Sequence, residues 1–237
     1  KGPVKIRMSG GNGGNGLAVM KTDRWGENSF ESIGTSSIIV HGDVAIKGVG
    51  KKWGISGNLD NVYSRFNSSG ILTRVNNSQV IVDGNVDFSI YGNGVTTNAP
   101  GSRVQLGGGS IVVPKGMKYG YYTLAAYNGD IYMNTDAQGK TPGTSTVQLD
   151  GDIFALPSAN ISAALTDKQS YLHGIVDSGG KVNLWLQNGA QWVNKAQNKR
   201  YVHDDEDVGA GGQSYVATFI GGESEATRGT ILQNNEE

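Results

Sequence analysis

Apolar and polar residues alternate on both sides of a short polar break within the stretch Asn77 to Ile90. The apolar members of this stretch are, in order, Val80, Val82, Val86, Phe88 and Ile90. Alternate residues of a strand face the same side, so the pattern predicts two strands joined by a tight corner at Asp83-Gly84-Asn85. The same pattern occurs from Ser36 to Lys47, where Gly42-Asp43-Val44 stands in the place of Gly84-Asn85-Val86. Two such copies indicate an internal repeat.

Shorter copies of this corner motif recur along the chain, each with Gly, Asp, Asn or another small residue before a β-branched residue. The apolar residues that follow these corners are Val44, Val86, Ile111, Ile131, Ile153 and Val182. The steps between them are 42, 25, 20, 22 and 29 residues, and the first is interpreted as two steps of 21. A recurring step of about 20 to 25 residues without helical periodicity is typical of one winding of a parallel β-helix. We therefore expect one domain over residues 1–237, with regular rungs over 1–175 and C-terminal rungs over 176–237. In such a solenoid each winding covers the apolar side of its neighbour.

The composition agrees with this interpretation and excludes several kinds of chemistry. Glycine contributes 37 of the 237 residues without a triplet period, which favours many turns over a collagen helix. The absence of cysteine excludes disulfides, cysteine-ligated zinc and thiol nucleophiles. Lys and Arg number 20 and Asp and Glu 21, so the chain has no net positive charge that would attract nucleic acid or an anionic membrane. No segment approaches the roughly 20 apolar residues of a membrane-spanning helix.

Two segments combine basic and aromatic residues and supply the candidate ligand-binding residues. The segment from Gly48 to Gly70 and the tyrosine-rich segment from Lys115 to Met133 both have this character. The candidates are Trp53, Arg65, Lys115, Tyr119 and Tyr121. Two neighbouring rings on one strand face, as alternation predicts for Tyr119 and Tyr121, suit stacking on a sugar. The alternatives are that Trp53 is a core residue and that the tyrosines form an aromatic ladder of the solenoid.

Several short motifs suggest chemistry that their surroundings do not support. The glycine-rich stretch Ser9 to Gly16 lacks the Lys-Ser or Lys-Thr pair of a phosphate loop and is interpreted as a flexible corner. The run Asp204 to Asp207 does not alternate its carboxylates as a calcium loop does, which favours a solvated acidic corner. The three histidines are far apart in the sequence and lack a metal spacing. No cofactor or metal site is predicted.

Parallel β-helices also include polysaccharide-degrading enzymes, so the sequence has to be compared with the motifs of such enzymes. Asn134-Thr135-Asp136, Asp204-Asp205 and His173-Gly174 resemble pieces of the polygalacturonase motifs. In that family the paired aspartates precede the histidine, whereas here they follow it, and the family's Arg-x-Lys is absent. Inverting hydrolysis needs an acid and a base that face each other. The sequence therefore predicts a protein without enzymatic activity.

A more specific resemblance lies in the C-terminal part of the chain. The stretch from Gly180 to Trp192 resembles the strand and Asn-Gly-Ala-x-Trp turn that recur in passenger regions of bacterial autotransporters. The segments Gly221 to Ser224 and Gly229 to Gln233 are similar to parts of such passengers on the side of the translocator barrel. This resemblance implies a right-handed β-helix, secretion by the type V route and a barrel beyond Glu237. The first residue is Lys1 and no signal-peptide pattern follows it, so we expect a fragment of a longer protein.

The resemblance also implies a role at the cell surface. Autotransporter passengers fold outside the outer membrane and often act as adhesins, so we expect a non-enzymatic adhesin that binds host or bacterial surface glycans or proteins. Contact with the membrane is expected only through the barrel, and self-association between passengers stays open. The alternatives are a polysaccharide lyase or hydrolase with a β-helix fold, and a purely structural stalk.

Overall fold

The computed structural model describes residues 3–9, 15–20, 35–49, 69–115, 121–197 and 213–233. Within these ranges the chain is all-β and contains no helix, and its strands form one curled parallel sheet with the outline of a half-barrel. In the described part of the chain the sheet has 17 strands. Among the described residues there is consequently no helix that is long and apolar enough to cross a membrane.

The strands are short in most of the chain, and three longer ones bend through more than one direction of the sheet. In chain order they are β1 (Val4–Ser9), β2 (Asn15–Val19), β3 (Ser37–Val40), β4 (Val44–Val49), β5 (Ser69–Thr73), β6 (Gln79–Ser89), β7 (Asn93–Val112), β8 (Tyr122–Met133), β9 (Val147–Asp150), β10 (Asp152–Ala155), β11 (Ala159–Leu165), β12 (Tyr171–His173), β13 (Val176–Ser178), β14 (Lys181–Leu186), β15 (Gln191–Asn194), β16 (Thr218–Ile220) and β17 (Thr230–Gln233).

The parallel pairings sort these strands into three ladders. The first ladder joins β2, β5, the start of β7, the start of β8, β10 and β13. The second joins β3, the first half of β6, the middle of β7, the end of β8, β11, β14 and β16. The third joins β1, β4, the second half of β6, the end of β7, β9, β12, β15 and β17. The described chain visits the ladders in one cyclic order, from the first to the second to the third.

Each ladder contributes a column of apolar side chains to a common core. In the third ladder the column is Ile46, Phe88, Ile111, Leu149, Leu172 and Trp192, all buried. In the second it is Val80, Val104, Ile131, Ile161 and Val182, and in the first Ile71, Val95, Leu124, Ile153 and Val176. Full burial of such a side chain stabilises a fold by about 1.5 to 3 kcal/mol. The parallel register places apolar side chains next to apolar side chains along each ladder. The apolar side chains of one layer of strands therefore cover those of the next.

The corner predicted at Asp83-Gly84-Asn85 is confirmed, although the backbone around it is one continuous strand, β6. The register shifts between Val82 and Asn85, because the first half of β6 belongs to the second ladder and the second half to the third. A Cβ on Gly84 would lie 2.4 Å from the carbonyl carbon of Gly42 in the layer below. The tight stacking of these two corners therefore requires glycine at position 84.

The interpretation of each step between successive corners as one winding is wrong for several of the steps. Val44 and Val86 are 42 residues apart and pair directly in the third ladder, so the expected division of this step into two windings is wrong. Ile131 lies in the second ladder and Ile153 in the first. The physical reason is that all three corners of a layer use the same small and polar residues. A corner motif consequently identifies a turn of the backbone without telling which ladder the next strand enters.

The strand and turn predicted near the C-terminal end are confirmed. Along β14 the side chains of Val182, Leu184 and Leu186 are buried. The backbone then turns at Asn188 and Gly189, which have φ angles of 53° and 83°. Trp192 follows in β15, where it is buried and its Nε1 donates a hydrogen bond to the carbonyl oxygen of Gly174 at 2.9 Å; this tryptophan covers the layer below it.

Candidate functional site

Lys115 forms an ion pair on the outer side of the third ladder. Its Nζ lies 2.6 Å from Oδ1 of Asp150. His173 reaches the same oxygen with Nδ1 at 3.6 Å, and its ring stacks on Tyr171 with ring centroids 4.2 Å apart. The structure thus assigns the lysine an intramolecular partner, and its predicted role in ligand binding stays a prediction.

Tyr121 packs against the hydrophobic core and is only partly exposed. Burial raises the pKa of its hydroxyl above the usual 10.0. The other three candidates, Trp53, Arg65 and Tyr119, lie outside the described residues, as do Asp204 to Asp207 and most of the glycine-rich stretch before β2. Their predicted roles are not tested.

Other aromatic residues form a cluster on the outer side of the first ladder. The ring of Phe154 stacks on Tyr122 with centroids 4.9 Å apart and lies tilted against Tyr127 at 5.2 Å. Phe154 points outward because its neighbours Ile153 and Ala155 are buried in the core. The tyrosine-rich segment therefore does supply an outer aromatic group, with Tyr122 and Tyr127 in place of the predicted Tyr121.

Polar side chains form a column along the outer face of the second ladder. Gln79, Arg103, Asp130 and Asn160 occupy successive paired positions of its strands. Nη2 of Arg103 donates to Oε1 of Gln79 at 2.7 Å, and Nδ2 of Asn160 donates to Oδ1 of Asp130 at 2.6 Å. These hydrogen bonds fix the positions of the guanidinium, amide and carboxylate groups on the outer face of the sheet.

Tyr132 belongs to the same face and donates its hydroxyl proton to Oδ2 of Asp130 at 3.0 Å. Burial, followed by the negative charge of Asp130, raises the pKa of this hydroxyl to about 12. Tyr132 is therefore a neutral hydrogen-bond donor throughout the physiological pH range.

The residues between β8 and β9 form a long loop, the 134–146 loop, that rises beside this face. Asn134 begins the loop with a φ of 54°. Its Nδ2 donates to the carbonyl oxygens of Ser145 at 2.8 Å and Ala164 at 2.9 Å, and its Oδ1 accepts from the amide of Ser145 at 3.0 Å. Asn134 consequently ties the two ends of the loop together and joins them to the next layer.

Three further hydrogen bonds fix the tip of the loop. Oδ1 of Asp136 accepts hydrogen bonds from the amides of Lys140 at 2.8 Å and Gln138 at 3.1 Å. These bonds, with the one from Lys140 first, lower the pKa of Asp136 below its usual 3.8. On the ladder side, Nη1 of Arg103 donates to the carbonyl oxygen of Ala137 at 3.2 Å.

A cleft of about 290 Å³ lies between the loop and the outer face of the second ladder. Its lining consists of Ile81, Val82, Asp83, Gln105, Leu106, Gly107, Asn134, Thr135, Gly143, Thr144 and Ser145. Small-molecule sites in proteins typically measure roughly 300 to 1,000 Å³ and combine apolar walls with a few placed polar groups. The volume of the cleft thus lies just below the lower end of that range.

Asp83 carries a negative charge at the rim of the cleft. Its Oδ2 lies 2.6 Å from Nδ1 of His41, and its Oδ1 accepts a hydrogen bond from the amide of Gly42 at 2.8 Å. These contacts, with His41 first, lower the pKa of the Asp83 carboxyl below its usual 3.8. Asp83 is therefore a carboxylate at neutral pH.

The motif fragments that suggested hydrolysis do not assemble in the described part of the chain. Asn134 and Asp136 hold the loop, and His173 lies beside Asp150 on the third ladder. The cleft lining includes a single carboxylate, that of Asp83. Among the described residues there is also no group of three His, Asp or Glu side chains placed to hold a metal ion.

Comparison with known proteins adds no assignment, since no protein-family model, no curated protein and no solved structure matches this chain.

The cleft was missed in the sequence, although two signals mark it. Arg103 and Gln105 alternate with the buried Val104 and Leu106, which places polar groups on the outward positions of the second ladder. The interval between the strands that end at Met133 and start at Val147 is longer than the intervals directly before and after it in the chain, which indicates a loop. What the sequence does not show is that this loop lies beside Asp83 and Gln105.

Proposed function

We propose that this chain is a right-handed parallel β-helix from the passenger of a bacterial autotransporter, and that it acts as a non-enzymatic adhesin on the outer surface of the cell. Three parallel ladders visited in one cyclic order support the solenoid. The buried strand and turn from Lys181 to Trp192 support the resemblance to passengers. A stacked solenoid projects its binding face away from the membrane while corner loops carry recognition.

The cleft beside the 134–146 loop is the observation that carries the adhesin role. The loop is tied by Asn134 and Arg103, so its position does not depend on a ligand. A site formed in advance binds without the cost of ordering a mobile segment. Binding without chemistry suits the lining, because acid–base hydrolysis uses a pair of carboxylates and the cleft presents only Asp83.

Surface display tests this proposal. The passenger with its native translocator is expressed on a non-adherent bacterium, and attachment to epithelial cells and to other bacteria is counted against cells that display the translocator alone. We expect attachment to rise with display and to be lost on proteolytic shaving. Equal attachment by both strains would contradict the adhesin role.

Two additional measurements separate the proposal from its alternatives. Reading the parent gene beyond Glu237 should show a terminal barrel of alternating strands, and its absence would contradict the autotransporter assignment. Incubation with uronate polymers, with and without Ca²⁺, should give neither reducing ends nor unsaturated products. Product formation would favour the lyase or hydrolase interpretation.

A further inference from the structure

We infer that the cleft between the second ladder and the 134–146 loop binds an uncharged saccharide. The inference rests on the proposed adhesin function and names the class of ligand for that site. It follows from the apolar floor of the cleft, from its free polar side chains and from the charge at its rim.

Ile81 gives the floor of the cleft an apolar side chain, and Ile39 beside it extends this apolar surface beyond the cleft. Ile81 lines the cleft and pairs in the ladder with Ile39, whose side chain is 49% exposed and points away from the core. The carbon-bound hydrogens of a sugar ring form an apolar face that gains free energy when such a surface is removed from water. A ring lying on Ile81 would present its hydroxyl groups sideways, toward the walls.

The walls hold polar side chains that have no hydrogen-bond partner among the described residues. The side chains of Gln105 on the ladder and Thr144 on the loop make no hydrogen bond with the described part of the chain. Asn134 and Ser145, in contrast, are already bonded to each other. A side-chain amide and a hydroxyl group can both donate and accept hydrogen bonds. The hydroxyl groups of a sugar can do the same, so the two sets of groups are complementary.

Asp83 selects against acidic ligands. Each of its carboxylate oxygens accepts one hydrogen bond, from His41 or from Gly42, and has capacity for another. Two sugar hydroxyls can therefore donate to it. A uronate or sialate carboxylate at the same place would be repelled by its charge, so the ligand class is neutral.

A peptide fits this site less well. One common way for an extended peptide to bind is to add a strand to a free sheet edge. Ile81 lies inside the sheet, paired with Ile39 on one side and Gln105 on the other, so its backbone is not a free edge. The small volume of the cleft suits one or two sugar rings better than a protein surface.

Saturation-transfer NMR on the full chain tests the inference with defined probes. The neutral probes are chitotriose, cellotriose and lactose, and trigalacturonate is the acidic counter-probe. We expect transfer to at least one neutral probe and none to trigalacturonate. Thr144→Trp should abolish the signal by filling the cleft, and Gln105→Ala should weaken binding by about fivefold to tenfold, as expected for one lost hydrogen bond.

Matched controls lie on the third ladder, where Gln191→Ala and Thr230→Trp change exposed residues of the same types. These controls should bind like the parent protein, and protease resistance should confirm that all four variants fold. Absence of transfer to every neutral probe, preference for trigalacturonate, or binding that Thr144→Trp leaves intact would overturn the inference. If cells that display Thr144→Trp still attach, the inference about the cleft is wrong but the adhesin role stands. If the chain binds a saccharide but the displaying cells do not attach, only the adhesin role is wrong.

Discussion

His41 and Asp83 are 42 residues apart in the sequence, yet Nδ1 of the histidine lies 2.6 Å from Oδ2 of the aspartate. The contact joins equivalent corners of adjacent layers. A second hydrogen bond between the same two corners runs from the backbone N–H of Asn85 to Oδ1 of Asp43 at 2.8 Å. Polar corner residues therefore bind one layer to the next on the outside of the sheet, while the apolar columns do so inside.

The histidine contact makes the charge of Asp83 resistant to acid. Because the folded pKa of Asp83 lies below its usual 3.8, the stabilising contribution of the carboxylate is present above that value and is lost as pH falls through the folded pKa. We expect a carbon-detected NMR titration to place this pKa below 3.8 and His41→Ala to raise it. An unchanged titration in His41→Ala would show that the bond from His41 does not set the pKa. Asp83→Asn serves as the control that removes the signal.

Trp192 should contribute to stability through both its ring and its indole nitrogen. Trp192→Ala leaves a cavity in the third ladder's column, and we expect a loss of about 3 to 5 kcal/mol in the free energy of unfolding. Trp192→Phe retains most of the ring but leaves the carbonyl oxygen of Gly174 without its donor, which should cost about 1 to 3 kcal/mol. Urea titration monitored by circular dichroism measures both. Equal stability of Trp192→Phe and the parent chain would argue against the hydrogen bond.

Gly129 is expected to be the less replaceable of two glycines with positive φ. A Cβ at Gly129, where φ is 93°, would lie 2.4 Å from the carbonyl oxygen of Ser102, whereas one at Gly42, where φ is 127°, would meet nothing within 4 Å. Gly42→Ala should cost only the backbone strain of about 1 to 2 kcal/mol. Gly129→Ala should cost about 1 to 3 kcal/mol more, since the neighbouring layer must move. Thermal unfolding of the two variants decides the order, and a reversed order would contradict the stacking of the corners.

Asn134 should control the position of the 134–146 loop. Asn134→Ala removes three hydrogen bonds to backbone groups and forces alanine into a φ of 54°, while Asn134→Gly removes the bonds without the strain. We expect a loss of about 2 to 3 kcal/mol for glycine, near 1 kcal/mol per bond, and a greater loss for alanine. Hydrogen exchange at the amide of Ser145 should accelerate in both variants. Unaltered exchange there would mean that the loop is held by other contacts.

Local features of the fold could be predicted from the sequence. The alternation around Val80 and Val86, the corner at Gly84 and the turn at Asn188 depend on neighbouring residues, and the structure confirms each of them. The order of the layers could not be predicted, because Ile131 and Ile153 follow similar corners and enter different ladders.

The candidate site was hidden for a different reason. The cleft brings Asp83 and Gln105 beside Thr144, residues from three layers of the sheet, and no local pattern encodes which layers meet. The choice between Tyr121 and Tyr122 as the outer residue likewise depends on an irregularity in register between β8 and β10, at Asp152 and Ile153, that alternation alone does not reveal.

The passage from the second ladder to the third takes only Gly107 in one layer and the whole 134–146 loop in the next, while Gly109 and Val147 still pair side by side. The strand register in the second and third ladders thus does not depend on how many residues protrude between these two ladders. Evolution or protein engineering can therefore lengthen, shorten or replace such a loop without disturbing the sheet. New binding specificities can arise by changing the loops between these two ladders.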